Sequence, residues 1–308
     1  MEKDIIKNSG KVKSFEKEFL SCPFLEKMIQ TPDFSSFVSE LEKSVYKLPK
    51  NISKEKEIIL FFQEEIKKLM KQIEEMLPDN LIAFFKIKYD FHNLKIFLKE
   101  QFKIIEKDKY SYSGMVAPEI LEHTFRTRSF FKIPEILQKT IQRLYEVKFN
   151  SLNEYFMFLQ KNYYDTCKKL IEVEKNDFLD EYLKIKIDFE NLSTYIIKKN
   201  YSEKIEKNFF IAGGYIQYEK HLNEEILWKY INFKYPLLKT PLTEENFEKE
   251  KDKFLINFLK KTKVIPYGIE VIFSYFLLKE KEINNLQRIA LGKFYNLPLE
   301  ILKDWIIA

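Results

Sequence analysis

An eleven-residue segment that occurs twice constrains the fold of this chain more than any other feature. Residues 84–94 read FFKIKYDFHNL and residues 182–192 read YLKIKIDFENL, so seven of eleven positions are identical, and Asp188 follows Asp90 by 98 residues. A shorter third copy, EINNL, begins at Glu282, which follows Asp188 by 94 residues. A period close to 100 residues is too long for a solenoid repeat, and it predicts three small domains instead.

The composition favours helices in each of these domains. The chain has six glycines and ten prolines among 308 residues, which is fewer turn residues than an all-β protein of this length needs. We find no stretch of any length that alternates apolar and polar residues in the way a half-buried strand does. We therefore predict an all-α protein of three similar helical-bundle domains, over residues 1–110, 111–205 and 206–308.

The clearest single helix is predicted over residues 53–77. Six apolar side chains in it are spaced three or four residues apart, which places them on one stripe of a helix. They are Ile59, Phe62, Ile66, Leu69, Ile73 and Met76. Pro78 ends this helix and Asp79 caps the next one. Another helix start is predicted at Thr31, as an N-cap residue with Pro32 at the first helical position.

In each copy of the repeat an acidic residue precedes an asparagine by three positions. This spacing places both side chains on one face of a helix, at the edge of its apolar stripe. From there they can hydrogen-bond a neighbouring helix end or side chain. We interpret the pairs as structural determinants that hold the domains together, rather than as catalytic or binding residues. The pairs are Asp90 with Asn93, Asp188 with Asn191, and Glu282 with Asn285.

The two longer copies are followed by a second match. Gly114 and Gly214 lie 100 residues apart, and each precedes a Glu and a Leu a few residues later. The similarity between the first two repeats therefore extends beyond the helix that carries the acid and the asparagine.

The sequence contains no motif typical of catalysis or metal binding. Its six glycines cannot build a phosphate-binding loop, and no nucleophile elbow occurs. The three histidines (His92, His123 and His221) are isolated, and the second repeat has Glu190 at the position of His92, which predicts an exposed site. Cys167 is either a reactive thiol beside a lysine or, more commonly, a buried packing residue. We predict no catalytic residue, no metal and no cofactor.

The charge of the chain argues against a nucleic-acid partner. There are 52 basic and 47 acidic residues, a net charge of +5 that is spread along the sequence. Four of the basic residues are arginines, the side chains that make bidentate contacts with bases. A solvated surface explains this balance better than a nucleic-acid interface does.

The sequence also predicts a cytoplasmic protein that contacts a membrane peripherally at most. The N-terminus begins with charged residues and shows no secretory signal, and the two separated cysteines suit a reducing compartment. The longest apolar runs, such as residues 271–278, are much shorter than the roughly 20 residues that a membrane-spanning helix needs.

The last third of the chain carries the most specific resemblance to a known family. Its elements, in order, are VIPYGIEVIFSYF at 264–276, KEKEINNLQRI at 279–289, Gly-Lys at 292–293 and LPLEIL at 297–302. Together with the repeated Asp-Phe-x-Asn-Leu helices and the Ala-Gly-Gly step at 212–214, they resemble the C/d (AC39) family of V-type and A-type rotary ATPase subunits. The resemblance is looser at residues 10–13, where lysines replace the usual arginines of that family.

The resemblance implies a fold, a role and a location. Members of that family are three similar helical domains arranged as a pseudo-threefold funnel on the cytoplasmic face of the membrane. They bind no nucleotide and no small-molecule substrate. They link the central shaft to the proteolipid ring and transmit torque for H⁺ or Na⁺ transport that is coupled to ATP hydrolysis or synthesis. The family motif does not indicate which residues contact the shaft or the ring.

Other functions remain open from the sequence. A helical-repeat scaffold or adaptor unrelated to ATPases would explain the repeats by duplication. A basic helical protein that binds nucleic acid is disfavoured by the shortage of arginine. An enzyme ranks last, because the sequence shows no constellation of reactive residues.

Overall fold

A computed structural model describes residues 4–101, 110–147, 149, 151–201, 206–238 and 242–305 of the chain. Within these ranges the regular elements are all helical, which confirms the predicted all-α class. The described residues form two compact units. The first consists of the chain up to Pro78 together with the part from Leu237 onward, and the second is Asp79–Pro236.

The α-helices are numbered in chain order. They are α1 (Ile5–Phe15), α2 (Cys22–Gln30), α3 (Phe34–Leu41), α4 (Glu55–Met76), α5 (Asp79–Gln101), α6 (Pro118–Thr127), α7 (Glu135–Glu146), α8 (Leu152–Glu172), α9 (Asp177–Asn200), α10 (Tyr218–His221), α11 (Glu224–Lys234), α12 (Glu244–Lys260), α13 (Ile269–Phe294) and α14 (Leu299–Trp305).

The central element of the first unit is α13, against which α1, α3, α4, α12 and α14 all pack. Its first half is buried on every side, because six consecutive residues from Val271 to Phe276 are shielded from solvent. Gly268 precedes this helix with a positive φ of 151°, a conformation that favours glycine. The amide of Gly268 donates to Oγ of the buried Ser9 at 3.2 Å, which joins the start of α13 to α1.

The second unit is built on three long helices. The helix α8 packs along both α5 and α9, and the short helices α6 and α7 pack against α5 and α8 respectively. Both α5 and α9 bury several of their faces, since buried residues occur at consecutive positions along them, for example Tyr182–Leu183 and Ile187–Phe189. This is the pattern of a helix in the interior of a bundle rather than at its surface.

The predicted helix over residues 53–77 is confirmed as α4, which ends before Pro78. Its buried stripe begins at Ile58, which is fully buried, whereas the predicted Ile59 is only half-buried. The predicted start at Thr31 is wrong. Thr31 closes α2, and the next helix begins at Phe34 with Asp33 as its N-cap, whose carboxylate accepts from the amide of Ser36 at 2.7 Å.

The division into three consecutive domains stays a prediction, as does their funnel arrangement. The two compact units group the chain differently, because the first of them combines the two ends of the sequence. The predicted boundary at residue 205 lies outside the described residues.

Candidate functional site

The first acid–asparagine pair lies on α5 and holds the loop at residues 110–117, which leads into α6. Both side chains of the pair are fully buried. The carboxylate of Asp90 accepts from the amides of Met115 and Val116, each at 3.0 Å. The Asn93 side chain bonds both backbone groups of Ser111, donating to its carbonyl at 2.8 Å and accepting from its amide at 2.9 Å. Four hydrogen bonds therefore fix this loop to one face of α5.

The second pair repeats this arrangement on α9. The carboxylate of Asp188 accepts from the amides of Tyr215 at 3.1 Å and Ile216 at 2.9 Å. Asn191 donates to the carbonyl of Ile211 at 2.8 Å and accepts from its amide at 2.9 Å. The loop partners in the two copies are thus 100 residues apart throughout. We call each such set of contacts an anchor, meaning an acid and an asparagine of one helix bonded to the backbone of the following loop.

The glycines noticed in the sequence belong to these anchors. A Cβ atom on Gly114 would lie 2.3 Å from Oδ1 of Asp90, and one on Gly214 would lie 2.0 Å from Oδ1 of Asp188. Both distances are far below van der Waals contact, so the loop can approach the carboxylate only where a side chain is missing. The match of Gly114 with Gly214 is therefore a consequence of the anchor geometry.

The third acidic residue, Glu282 on α13, contacts a segment from the other end of the chain. Its carboxylate accepts from the amide of Leu20 at 2.6 Å and from the hydroxyl of Tyr46 at 2.7 Å. The buried ammonium of Lys279 donates to it at 2.7 Å. The same ammonium lies 5.2 Å from the ring centre of Phe19 and 5.1 Å from that of Tyr46. Both Glu282 and Asn285, the asparagine of the same pair, are buried.

In all three contacts the amide that donates to the carboxylate occupies the same position relative to the start of the next helix. The amides of Val116, Ile216 and Leu20 each precede the first residue of the next helix by two positions, at Pro118, Tyr218 and Cys22. In the third copy the receiving segment is N-terminal, about 260 residues away from the helix that holds it. The longer side chain of glutamate makes this third contact where the other two copies have aspartate.

Two of the three carboxylates each accept a hydrogen bond from a different tyrosine hydroxyl. The hydroxyl of Tyr235, the residue after α11, donates to Oδ2 of Asp188, as that of Tyr46 donates to Glu282. Both tyrosines are almost completely buried. Burial raises the pKa of each hydroxyl well above its usual range, and the adjacent carboxylate raises it further, so both remain protonated donors.

Burial also has the largest effect on the pKa of the two aspartates. It raises the pKa of Asp90 and of Asp188 to about 6, against the hydrogen bonds from the loop amides, which lower it. For Asp188 the hydroxyl of Tyr235 lowers it as well. The cause is the loss of hydration around a carboxylate that is removed from solvent. Close to neutral pH each aspartate thus bears a charge that is stabilised by hydrogen bonds from the protein itself.

The three carboxylates accept hydrogen bonds from the chain's own backbone amides. Each carboxylate is buried, and its oxygens already accept from amides and hydroxyls of the same unit. Among the residues that the structure describes, no group of three or more His, Cys, Asp or Glu side chains is placed to hold a metal ion.

The three histidines and the buried cysteine lie in different environments. His92 is exposed as predicted, and His123 is exposed too, whereas His221 is buried with Nδ1 3.2 Å from the carbonyl of Gln217. Burial lowers the pKa of His221. Cys167 is fully buried, and burial raises the pKa of its thiol to about 12, so it is a packing residue rather than a nucleophile. Of the described helices, none is both long and apolar enough to cross a membrane.

Sequence reasoning missed three residues that complete these contacts. Nothing in the sequence around Tyr46 and Tyr235 indicates their contacts, because only the folded structure brings each tyrosine to its carboxylate. Lys279 did carry a signal: it precedes Glu282 by three positions on a predicted helix, a spacing at which a lysine and a glutamate meet.

Comparison with known proteins identifies the family of this chain. A family model described as "ATP synthase (C/AC39) subunit" matches residues 9–304. The chain is 23% identical over 313 residues to the C subunit of the V-type sodium ATPase of Enterococcus hirae, with 95% of both chains covered. It is 22% identical over 312 residues to the C subunit of the A-type ATP synthase of Thermococcus gammatolerans, with 92% of this chain and 84% of that protein covered. The resemblance seen in the sequence is thereby confirmed, and the chain belongs to the ATP synthase (C/AC39) subunit family.

Proposed function

We propose that this protein is a non-catalytic central-stalk subunit of a V-type or A-type rotary ATPase. In this role it links the rotor shaft to the proteolipid ring of the membrane sector and transmits torque between them. The torque couples H⁺ or Na⁺ transport to ATP hydrolysis or synthesis. The observation that carries the proposal is the family match, which spans residues 9–304.

The names of the relatives support this assignment. Both are C subunits, one of a V-type sodium ATPase and the other of an A-type ATP synthase, and both align with more than nine-tenths of this chain. One name gives sodium as the ion and the other gives none, and one complex is called an ATPase and the other a synthase. Neither the ion nor the direction of the reaction is therefore carried over to this chain. The proposed protein contributes a mechanical connection to the complex, and the ring and the catalytic sector supply the chemistry.

The anchors suit a part that must not yield under torque. Each links a long helix to the backbone of a following loop through buried contacts, so a helix cannot slide along its axis without breaking several of them together. Buried hydrogen bonds that would be left unsatisfied are costly to break, about 1–3 kcal/mol for each orphaned group. We therefore propose that Asp90, Asn93, Asp188, Asn191, Glu282 and Asn285 form the framework of three similar helical domains arranged as a funnel.

We place the protein at the cytoplasmic face of the membrane, as a peripheral part of the ATPase complex. Its partners there are the shaft subunits on one side and the proteolipid ring on the other.

The test is reconstitution of the complex from its parts. The catalytic sector with its shaft and the membrane sector with its ring are prepared without this chain, and the chain is then added back. We expect the catalytic sector alone to hydrolyse ATP, and ion transport into vesicles to appear only when the chain is present. Native mass spectrometry of the intact complex should find one copy per rotor.

Two outcomes would contradict the proposal. If ATP hydrolysis by the catalytic sector disappeared whenever the chain was left out, the chain would act in catalysis. If the chain bound neither the shaft nor the ring at low salt, it would not be the linker. A matched pair of variants on one helix, Asp188→Ala and Asp180→Ala, then tests the framework. Only the first removes an anchor, so only the first should weaken coupling.

A further inference from the structure

A histidine lies in the second repeat at a position where the other two repeats have leucine. His221 is the fourth residue of α10, the helix that follows the second anchored loop. The fourth residues of the equivalent helices α6 and α2 are Leu121 and Leu25. All three side chains are buried. The second repeat therefore has an ionisable ring at an interior position that is apolar in the other two.

The ring of His221 contacts both ends of the loop that the second anchor holds. Its Nδ1 lies 3.2 Å from the carbonyl oxygen of Gln217, and because a carbonyl only accepts, Nδ1 carries a proton and donates it. The ring centre lies 5.2 Å from that of Phe210 and 6.3 Å from that of Tyr195 on α9. Phe210 and Gln217 flank the residues that the anchor bonds, so the histidine packs between α9 and this loop.

The other ring nitrogen of His221 has no acceptor to bond. Nε2 is buried, and within the part of the chain that the structure describes it has no hydrogen-bond partner. In the neutral ring this atom is an acceptor, but in the protonated ring it becomes a donor on a charged group. Burial of a charge without a partner is far more costly than burial of the neutral ring. Burial accordingly lowers the pKa of His221, while the hydrogen bond to Gln217 raises it.

Tyr195 is the titratable side chain that faces the ring from α9. Burial raises the pKa of Tyr195, so its hydroxyl is uncharged close to neutral pH. Two charged groups act on it in opposite directions: Glu224 of α11 raises its pKa and Lys199 of α9 lowers it. Glu224 and Lys199 form an ion pair with each other, so their charges offset one another beside the ring.

The helix α10 itself carries three further titratable side chains, Tyr218, Glu219 and Lys220. The ring of Tyr218 packs on Phe210, with 5.6 Å between the ring centres. The ammonium of Lys220 lies 3.3 Å from the ring centre of Tyr230 on α11. Glu219 is exposed and, at two positions from the histidine, lies on a different face of the helix. The acidic side chain of α10 is therefore not directed at the histidine ring.

We propose that His221 is an acid-sensitive switch of the second repeat, whose protonation releases α10 and the loop at residues 210–217 from α9. The charged ring is solvated only when it leaves its site, so opening of α10 accompanies the uptake of the proton. The loop of the first repeat at residues 110–117 is followed by Leu121 at the equivalent position and should stay closed. This inference does not depend on the proposed role in a rotary ATPase, since it rests on the second unit alone.

The direction of the pH effect follows from the two states of the ring. Once exposed by opening, the histidine has a pKa near its ordinary value of 6.5, whereas burial lowers the pKa in the closed site. The closed form is therefore fully stable above pH 6.5 and is lost progressively as the pH falls below it. Between pH 6.5 and pH 5 the opening equilibrium can shift by at most about thirtyfold, since each pH unit contributes at most tenfold.

The test is hydrogen-exchange mass spectrometry of the full chain at pH 7.5 and pH 5, with protection factors that correct for the intrinsic exchange rate. Peptides over residues 210–222 and 110–122 report the two loops. The buried aspartates of both anchors have a pKa of about 6, so their titration affects both loops and largely cancels in the ratio. We expect the protection of 210–222 relative to 110–122 to fall by about three- to thirtyfold on acidification.

Two substitutions remove the titrating ring in different ways. His221→Leu supplies the residue found at both equivalent positions, and His221→Phe keeps an aromatic ring between Phe210 and Tyr195. In both variants the ratio of protection should no longer depend on pH. His123→Leu removes an exposed histidine of α6 and should keep the pH dependence of the wild type. Melting curves at pH 7.5 identify the variants that are folded, and one folded variant at position 221 is enough for the comparison.

Nuclear magnetic resonance titration of the His221 ring in the wild type gives a second measurement that needs no substitution. We expect its midpoint below pH 6.5, over the same pH range in which residues 210–222 lose protection. The proposal is overturned if the ratio of protection is the same at pH 7.5 and pH 5, or if it changes equally in a variant that lacks His221. A midpoint at or above pH 6.5 would also overturn it.

Discussion

Removal of the Asp188 carboxylate is the most direct perturbation of the anchors. In Asp188→Ala the amides of Tyr215 and Ile216 and the hydroxyl of Tyr235 all lose their acceptor. These groups are part of a fully buried contact around Asp188, so water cannot easily replace the lost oxygen atoms. The variant therefore leaves three donors unsatisfied while the apolar packing of α9 remains in place.

The magnitude follows from two opposing contributions. Each orphaned buried donor costs about 1–3 kcal/mol, so three of them cost roughly 3–9 kcal/mol. The substitution also removes a carboxylate whose burial is unfavourable: the pKa of Asp188 is raised from 3.8 to about 6, which corresponds to about 3 kcal/mol at neutral pH. The two contributions differ by about 0–6 kcal/mol. Because breaking a buried charged contact costs about 3–5 kcal/mol, we expect a net loss of about 2–5 kcal/mol in the free energy of unfolding. For a unit of this size the melting temperature should fall by roughly 5–15 °C.

Two measurements check this expectation. Urea unfolding gives the change in free energy. Because the chain has two compact units, a transition is assigned to each unit before its free energy is calculated. Amide hydrogen exchange gives the location: the amides of Tyr215 and Ile216 should lose protection before those of Met115 and Val116, which belong to the other anchor.

The matched control is Asp180→Ala on the same helix. Asp180 forms an exposed ion pair with Lys184, and such a pair contributes about 0–1 kcal/mol. Our reasoning about buried donors would be refuted if both substitutions changed the unfolding free energy equally, or if Tyr215 and Ile216 kept their protection in Asp188→Ala.

Three further predictions concern the same contacts. Gly214→Ala should destabilise the protein by about 2 kcal/mol or more in urea unfolding, because its Cβ would lie 2.0 Å from the Asp188 carboxylate. Between pH 4 and pH 7 the wild type should lose about 2–3 kcal/mol of stability relative to Asp188→Asn. The sign follows because the folded-state pKa of Asp188 is raised to about 6, so the stabilisation is complete below pH 3.8 and is lost as the pH rises through 6. Lys279→Met should cost about 3–5 kcal/mol, since it leaves the charge of Glu282 buried without its cation.

Each of these has its own control. Gly10→Ala, on a helix position with no atom within 4 Å of the new Cβ, should leave stability equal or raise it by up to about 1 kcal/mol. A pH profile of Asp188→Asn parallel to that of the wild type would contradict the titration argument. Adding Glu282→Gln to Lys279→Met should restore part of the lost stability, and no restoration would show that the charge is not the cause.

The repeat in the sequence was enough to locate the anchor residues. Asp and Asn three positions apart share a helix face by local geometry alone, and the copy at a fixed spacing indicated that both pairs have the same role. The glycine match pointed to the loops as well. The partners could not be deduced in the same way, because a backbone amide carries no sequence signature. Which amide reaches the carboxylate depends on how the chain turns after the helix.

The third copy marks the limit of local reasoning. Its motif is short, its acid is glutamate, and its contact at Leu20 lies about 260 residues away in the sequence. No pattern within a helix can indicate a partner at such a distance.

The sequence by itself determined the helical class, the positions of the buried acids and asparagines, and the family. These depend on the spacing of side chains along a helix, on the few turn residues and on motifs read in order, all of which are local or linear properties. Only the tertiary structure decided that the two terminal parts of the chain join in one compact unit. It also decided that Tyr235 contacts Asp188 and that Tyr46 and Lys279 contact Glu282. Those contacts follow from packing between distant segments, whose free energy is gained only when the whole unit has folded.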